Sequence, residues 1–126
     1  MLELISSPDT PVPGGTYSPG IASGGFLFIA GQGPFDASSR LVGETFADQL
    51  RQAFRNLEAI AAAAGTSLSN TVRLGVYLKN LDDWAELNTL SKEFLTEPYP
   101  ARTTIQADLN GFLIEVDATV AIPPAR

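Results

Sequence analysis

The sequence contains no cysteine and no histidine, and these two absences exclude several kinds of chemistry. Without cysteine the chain has no disulfide, no thiolate nucleophile and no thiolate metal ligand. Without histidine it cannot build a Ser-His-Asp triad, and a bound metal would have only oxygen ligands. Zinc is therefore nearly excluded.

Basic residues are scarce as well. Lysine and arginine together number 8 against 14 acidic residues, which gives a formal net charge of -6. This sign is wrong for a protein that binds by neutralising phosphate groups. Neither nucleic acid nor an anionic membrane is an expected partner.

Apolar runs are short. The run FLFIA, residues 26–30, is far below the ~20 apolar residues that a membrane-spanning helix needs. The opening residues also lack the cationic segment and apolar core of a signal peptide. We therefore expect a cytoplasmic protein.

What the chain does contain is enough for one globular domain. Its 126 residues are 44% hydrophobic, which suffices for a real core but not for two domains. No internal repeat, low-complexity tract or linker divides it. The sequence thus predicts a single domain over residues 1–126.

Two segments have the apolar spacing of amphipathic helices. From Glu44 to Ala64 apolar residues recur every three or four positions, and Gly65 can then provide the left-handed end. A second helix is predicted after Asn80, whose side chain can cap it. Pro98 is expected to end this helix. The predicted buried stripe of the second helix is Leu81, Trp84, Leu87, Leu90 and Phe94.

Alternating or continuous apolar patterns predict the strands. These are residues 2–5, the residues around Ile21, 26–30, 72–78, 103–107 and 112–122. Gly24-Gly25 predicts a hairpin before the apolar strand 26–30, which should be central, and Asn110-Gly111 predicts one between the last two strands. The order of elements favours an α+β sandwich, with two helices on one face of a six-stranded, mainly antiparallel sheet. Strands that are apolar on both sides favour oligomerisation through the open sheet face.

The strongest candidate for chemistry is Arg102. It follows Pro100 and precedes a strand, so its planar guanidinium is well placed to bind a carboxylate through two hydrogen bonds. A structural salt bridge is the alternative. Glu115 lies on the last strand, where it is either a functional carboxylate or a solvated strand residue.

Four further positions are weaker candidates. Asn88 lies beside the apolar stripe of the second helix, where an amide often caps a backbone group instead. Tyr17 and Ser18 follow a loop rich in proline and glycine, and they are either site residues or turn residues. Gly31 belongs to the segment AGQGP, which offers backbone donors but is also a common type of turn after a strand.

Taken in order along the chain, these segments resemble the RidA/YjgF family of enamine/imine deaminases, also called L-PSP-like. The resemblance runs from about Pro13 to Ala121. The matching segments are GTYSPGI, FIAGQGP, the long stretch NLEAIAAAAGTSLSNTVRLGVYLKNLDDWAELN, YPARTTI and IEVDATVA. It implies a chorismate-mutase-like α+β fold and a homotrimer around a central barrel, with sites in the clefts between subunits.

The resemblance also implies roles for individual residues. Arg102 would bind the substrate carboxylate and Glu115 would hold the attacking water. The implied substrate-binding residues are Tyr17, Ser18, Gly31, Asn88 and Thr104. The chain departs from the family at two positions, with Ala30 where serine is common and Thr104 where cysteine is common.

The implied activity is the hydrolysis of 2-enamine or 2-imino acids, such as 2-aminoacrylate, to 2-oxo acids and ammonia. The substrate is a small anion, and because an imine is already electrophilic, no metal or organic cofactor is expected. A ligand-binding or regulatory member of the family without turnover is the alternative. An endoribonuclease or a chaperone-like protein fits the acidic, histidine-free composition less well.

Overall fold

Six strands form one sheet in the computed structural model, which describes residues 1–124. Their order across the sheet is β1-β2-β3-β6-β4-β5, so the apolar strand β3 is central, as predicted. All neighbours are antiparallel except β4 and β5, which run parallel. The bounds are β1 Glu3–Ile5, β2 Gly20–Ser23, β3 Phe26–Gln32, β4 Thr71–Leu78, β5 Ala101–Gln106 and β6 Ile114–Ala121.

The long helix α1 spans Phe46–Ala63 and agrees with the predicted one. Its N-cap is Thr45, whose side-chain oxygen accepts a hydrogen bond from the backbone amide of Asp48 at 3.1 Å. Gly65 follows the helix with φ +78°, the left-handed conformation that favours glycine. The apolar face of α1 packs on the sheet and forms the core with the inner side chains of β3, β4 and β6.

The second helix differs from its prediction. The α-helix α2 spans only Trp84–Leu90, after a 3₁₀ turn at Leu81–Asp83, and Asn80 makes no side-chain cap. A helix of less than two turns presents few side chains to the core, so Leu87 is the one fully buried member of the predicted stripe. Leu81 and Trp84 are 45% and 43% exposed.

The predicted hairpin of the last two strands is wrong. Gly111 does adopt a turn conformation, with φ +87°, but β6 crosses to the middle of the sheet and pairs with β3 and β4. β5 instead pairs with β4, because α2 carries the chain back to the end at which β4 began. Every second residue of β6 is buried on the inner face. A central position in the sheet allows this burial, whereas an edge position would leave the strand more exposed.

Helices cover only one face of the sheet. On the other face Leu4, Phe26, Phe28 and Ile105 are each at least 40% exposed. Among residues 1–124 no helix is both long and apolar enough to cross a membrane. The uncovered apolar face is the feature that the sequence predicted from strands apolar on both sides.

Candidate functional site

Arg102 lines a cavity of about 290 Å³ between α2 and β5, which we call the arginine cavity. The Pro100 corner directs the chain into β5, and Arg102 is the second residue of that strand, opposite Leu74 of β4. Leu74 is buried against the helices, so Arg102 lies on the helix-covered face. The lining residues are Asn88, Ser91, Lys92, Leu95, Tyr99, Pro100 and Arg102.

The guanidinium of Arg102 has no carboxylate partner among the residues that the structure describes. Within residues 1–124 no acidic oxygen lies within 4 Å of the guanidinium. The structural salt bridge, which was the alternative interpretation of Arg102, therefore does not form in this part of the chain. The group lies 5.4 Å from the centre of the Trp84 ring, a cation-π contact. Partial burial lowers the pKa of Arg102, although the group stays charged at neutral pH. Its hydrogen-bond donors remain available to an anion.

Two other predicted residues lie near Arg102 but in different settings. Asn88 lines the arginine cavity and is exposed. Thr104, two residues along β5, has a buried hydroxyl oxygen with no hydrogen-bond partner in the described part of the chain. It does not line the arginine cavity. Sequence reasoning assigned Trp84 to the core and overlooked Lys92 and Tyr99, because a period of three or four does not tell which helical side chains border a cavity.

Glu115 lies in a second cavity, of about 330 Å³, which we call the glutamate cavity. Its walls are formed by the loop before β2, which contributes Tyr17, by Gly31 near the end of β3, and by the turn that follows β3. Ser18 does not line this cavity but borders a neighbouring apolar groove with Tyr17. The Tyr17 hydroxyl accepts a hydrogen bond from the backbone amide of Gly14 at 3.3 Å, which ties the ring to its own loop.

Gly31 provides the space for the Glu115 carboxylate. A bulge shifts the β3–β6 register between Ile29 and Gln32, and a Cβ atom at Gly31 would collide with Glu115. Burial, and secondarily the negative charge of Asp117, raise the pKa of Glu115 above its ordinary value. A carboxyl group with a raised pKa is better suited to exchanging protons near neutral pH.

A second carboxylate, that of Asp117, lies on the same face of the sheet as Glu115. Asp117 follows Glu115 by two positions and accepts a hydrogen bond from the Tyr77 hydroxyl at 2.9 Å. That bond raises the pKa of Tyr77. Gly75 leaves room for Asp117, since a Cβ atom there would collide with its carboxylate. Asp117 is therefore held beside Glu115 rather than free to turn away.

Side chains of α1 hold the loops that surround the glutamate cavity. The Nδ2 atom of Asn56, 1% exposed, donates to the carbonyl of Phe35 at 2.8 Å, just beyond the turn after β3. Gln49, also buried, accepts from the backbone amide of Leu113 at 2.8 Å, close to the start of β6. Helical spacing marks these positions as inward-facing, but their hydrogen-bond partners depend on the tertiary fold.

Gly31→Ala is expected to displace the Glu115 carboxylate towards solvent. The measured pKa of Glu115 should then fall towards its ordinary value, because burial is the main cause that raises it. Carboxyl-carbon NMR titration measures this change. The free energy of unfolding should change by about 1 kcal/mol or less, because the group that must move is the end of a flexible side chain.

Gly14→Ala is the matched control, since nothing lies within 4 Å of a Cβ atom there. An unchanged Glu115 pKa in Gly31→Ala would contradict the role given to Gly31.

Within one chain the two cavities lie on opposite faces of the sheet. Arg102 pairs with Leu74 of β4, which pairs in turn with Ala118 of β6. The side chains of Leu74 and Ala118 point towards the helices. Glu115 of β6 pairs with Tyr77 of β4, and both side chains lie on the uncovered face of the sheet. One chain therefore groups Arg102 with Asn88, and Glu115 with Tyr17 and Gly31, but does not bring the two groups together.

The architecture defines a class of protein, namely a small α+β protein in which an arginine without a salt bridge in the described residues and a partly buried glutamate line separate cavities. The family described as "Endoribonuclease L-PSP" matches residues 7–122. The chain therefore belongs to the RidA/YjgF/L-PSP family, also called RutC, as the sequence motifs indicated.

Individual relatives agree with this assignment. A RutC family protein of Pyrococcus horikoshii is 40% identical over 121 residues, covering 94% of this chain and 96% of the relative. A protein of Dermatophagoides farinae named 2-iminobutanoate/2-iminopropanoate deaminase is 32% identical over 122 residues, covering 94% and 95%.

Solved structures confirm the α+β fold with its six-stranded sheet. RidA from Psychrobacter sp. PAMC 21119 superposes with a TM-score of 0.89 at 36% identity, covering 95% of this chain and 99% of that one. E. coli TdcF with bound serine gives a TM-score of 0.87 at 27% identity, covering 96% and 99%.

Proposed function

We propose that this protein hydrolyses small 2-imino acids, such as 2-iminopropanoate and its enamine tautomer 2-aminoacrylate, to 2-oxo acids and ammonia. The observation that carries the proposal is the partly buried guanidinium of Arg102, which lines a cavity and forms no salt bridge within residues 1–124. Such a group binds a carboxylate in a fixed orientation. The named activity of the Dermatophagoides farinae relative supports the choice of an imino acid.

The reaction needs one activated water. Arg102 would bind the carboxylate, and Glu115 would take a proton from water as its oxygen attacks the C=N carbon. Glu115 would pass that proton to the imine nitrogen, which gives a neutral carbinolamine and restores the carboxylate. The hydroxyl proton of the carbinolamine would then move to nitrogen through Glu115, and the C–N bond breaks so that ammonia leaves as the C=O bond forms. Proton transfer of this kind contributes about 10²- to 10⁴-fold to a rate. Because the imine carbon is electrophilic on its own, the proposed step uses no cofactor.

A coupled assay tests the proposal most directly. A serine dehydratase generates 2-aminoacrylate in the cuvette, and the release of pyruvate and ammonia is followed with and without this protein. Faster release than with the heat-denatured protein supports deamination. Equal rates at micromolar protein would rule the activity out for this substrate.

Because Arg102 and Glu115 lie on opposite faces of one chain, the proposed site needs two chains. We therefore propose a homotrimer in which Arg102 meets Glu115 of the partner subunit, assembled through the uncovered sheet face. The apolar side chains on that face, among them Phe26 and Phe28, would be buried on assembly.

The expected particle mass is that of three 13.4 kDa chains. Sedimentation equilibrium at micromolar concentration measures it. Phe28 is 49% exposed on the uncovered sheet face, so Phe28→Glu would place a charge in the proposed interface. This variant should shift the protein towards monomer and abolish turnover. A monomeric wild type would contradict both the trimer and the shared site.

Binding without turnover is the second candidate function, favoured by the structure of TdcF with bound serine, an amino acid that is not an imine. In that case 2-oxo acids or amino acids would bind through Arg102, while imine hydrolysis would not exceed the uncatalysed rate. Equilibrium binding and the coupled assay, run on the same preparation, separate the two functions.

RNA binding is expected to be weak at physiological salt, despite the name of the family. The chain carries a net charge of -6 and 8 basic residues, which releases few counterions from a phosphate backbone. Fluorescence anisotropy with a labelled single-stranded RNA measures the affinity between 50 and 200 mM salt, the range over which about 10³-fold changes occur for phosphate-binding proteins. Micromolar affinity with a steep salt dependence would contradict this prediction and support a nuclease function.

A further inference from the structure

The arginine cavity contains a second cation. Lys92 lines it together with Arg102, so 2 of the chain's 8 basic residues border one cavity. None of the described residues that line it is acidic, although the chain has 14 acidic residues. A cavity with two positive charges and no negative one is therefore built into a protein of net negative charge.

Neither cation forms a salt bridge with any residue in the described part of the chain. In the described range 1–124 neither Lys92 nor Arg102 has an acidic oxygen within 4 Å. Glu93, the acid next to Lys92 in sequence, is bound by Arg51 through two hydrogen bonds of 3.0 and 2.9 Å. The neighbouring carboxylate is therefore already bound by Arg51, and the Lys92 side chain is left to contact a ligand.

The rest of the lining suits a short carbon chain between two anionic ends. Leu95 and Pro100 are apolar, while Asn88, Ser91 and Tyr99 offer polar groups. The volume of about 290 Å³ is close to the ~300 Å³ at which small-molecule pockets begin. A single carboxylate on Arg102 would leave Lys92 without an anion.

We infer that the preferred ligands are 2-imino acids and 2-oxo acids whose side chain carries a second carboxylate, with Arg102 binding the first carboxylate and Lys92 the second. This inference rests on the proposed function and specifies its substrate class. The hydrolysis is unchanged, since the second carboxylate takes no part in bond breaking.

A matched pair of stable product analogues tests the inference. 2-Oxoglutarate and 2-oxopentanoate have the same five-carbon chain and differ only in a terminal carboxylate or methyl group. Isothermal titration calorimetry at low salt should give about fivefold tighter binding of 2-oxoglutarate, the upper range for an exposed ion pair. The preference should shrink at 0.5 M salt, because screening weakens exposed ion pairs.

Lys92→Gln should reduce the affinity for 2-oxoglutarate to that for 2-oxopentanoate and leave the latter unchanged. Arg55→Gln is the matched control, because Arg55 is exposed on α1, lines none of the described cavities and carries the same charge. It should retain the fivefold preference.

Equal binding of the two acids by the wild type, or loss of the preference in Arg55→Gln as well, would overturn the second-carboxylate subsite. Neither result touches the deamination proposal, which the coupled assay with 2-aminoacrylate decides. Failure of both acids to bind at millimolar concentration would overturn the subsite and the carboxylate-binding role of Arg102 together.

Discussion

Arg102→Ala is expected to lower kcat/KM for 2-iminopropanoate hydrolysis by about 10²- to 10³-fold. Each hydrogen bond from a charged group contributes about 1.5–3 kcal/mol, and a two-point contact to the carboxylate also fixes the geometry of attack. Arg102→Lys should lose less, because lysine keeps the charge but not the planar pair of donors. The coupled 2-aminoacrylate assay measures all three proteins.

Stability separates this role from a structural one. Since no acidic oxygen among residues 1–124 lies within 4 Å of Arg102, its removal leaves no buried carboxylate unpaired. The cation-π contact with Trp84 is the interaction lost, which amounts to about 0.5–1 kcal/mol. The free energy of unfolding of Arg102→Ala should therefore be within about 1 kcal/mol of that of the wild type.

Arg55→Ala is the control for Arg102→Ala, because it removes the same charge from an exposed helical position. Its activity should equal that of the wild type. An Arg102→Ala protein that is several kcal/mol less stable, yet hydrolyses the imine at the normal specific rate, would show that Arg102 is a structural residue.

Glu115→Gln is expected to lower kcat by about 10²- to 10⁴-fold, the usual contribution of a general acid-base group. An amide can hold a water molecule by hydrogen bonds, but it accepts protons poorly. Arg102 is unchanged in this variant, so the affinity for a 2-oxo acid should stay within about twofold of the wild-type value. Single-turnover kinetics and calorimetry measure the two effects separately. Loss of binding with unchanged kcat would contradict the assignment.

The pH dependence of stability follows from the raised pKa of Glu115. A raised pKa means that the folded protein binds this proton more tightly than the unfolded chain does. That stabilisation is fully present below the ordinary glutamate pKa, about 4.3, and is lost as the pH rises through the raised value. At neutral pH the free energy of unfolding of Glu115→Gln should thus equal or exceed that of the wild type. Any excess should disappear in acid, where Glu115 of the wild type is protonated.

The acid limb of the wild-type activity profile should reflect the same group. If Glu115 must be ionised to take a proton from water, kcat/KM falls as the pH drops below its raised pKa. Asp117→Asn removes the second cause of that raised value, so its acid limb should move to lower pH. A limb that does not move would show that Asp117 has no effect on the proton affinity of Glu115.

The sequence was sufficient wherever neighbouring residues decide the structure. Apolar spacing and Gly65 predicted a helix from Glu44 to Ala64, which is close to the observed α1 at Phe46–Ala63. Alternation likewise predicted β4, and a run of five apolar residues predicted the central place of β3. The motifs taken together, in their order along the chain, were enough to identify the family.

Long-range pairing was not predictable from local patterns. Asn110-Gly111 has the conformational preference of a hairpin, but the strand after it is placed by the burial of its inner face between β3 and β4. The burial of the α2 stripe was predicted wrongly for the same reason. Helical spacing shows which residues share a face of the helix, but it does not show which other elements cover that face. Trp84 was thus assigned to the core, whereas it contacts the Arg102 guanidinium.

By itself, then, the sequence determined the acidic composition, the main helix, most strands and the family. Only the tertiary structure decided that Arg102 is free of carboxylate partners within the described residues, and that Gly31 makes room for Glu115. It alone placed the two groups on opposite faces of the sheet. The physical reason is that contact and burial depend on strands far apart in the chain, whereas spacing and propensity are properties of adjacent residues.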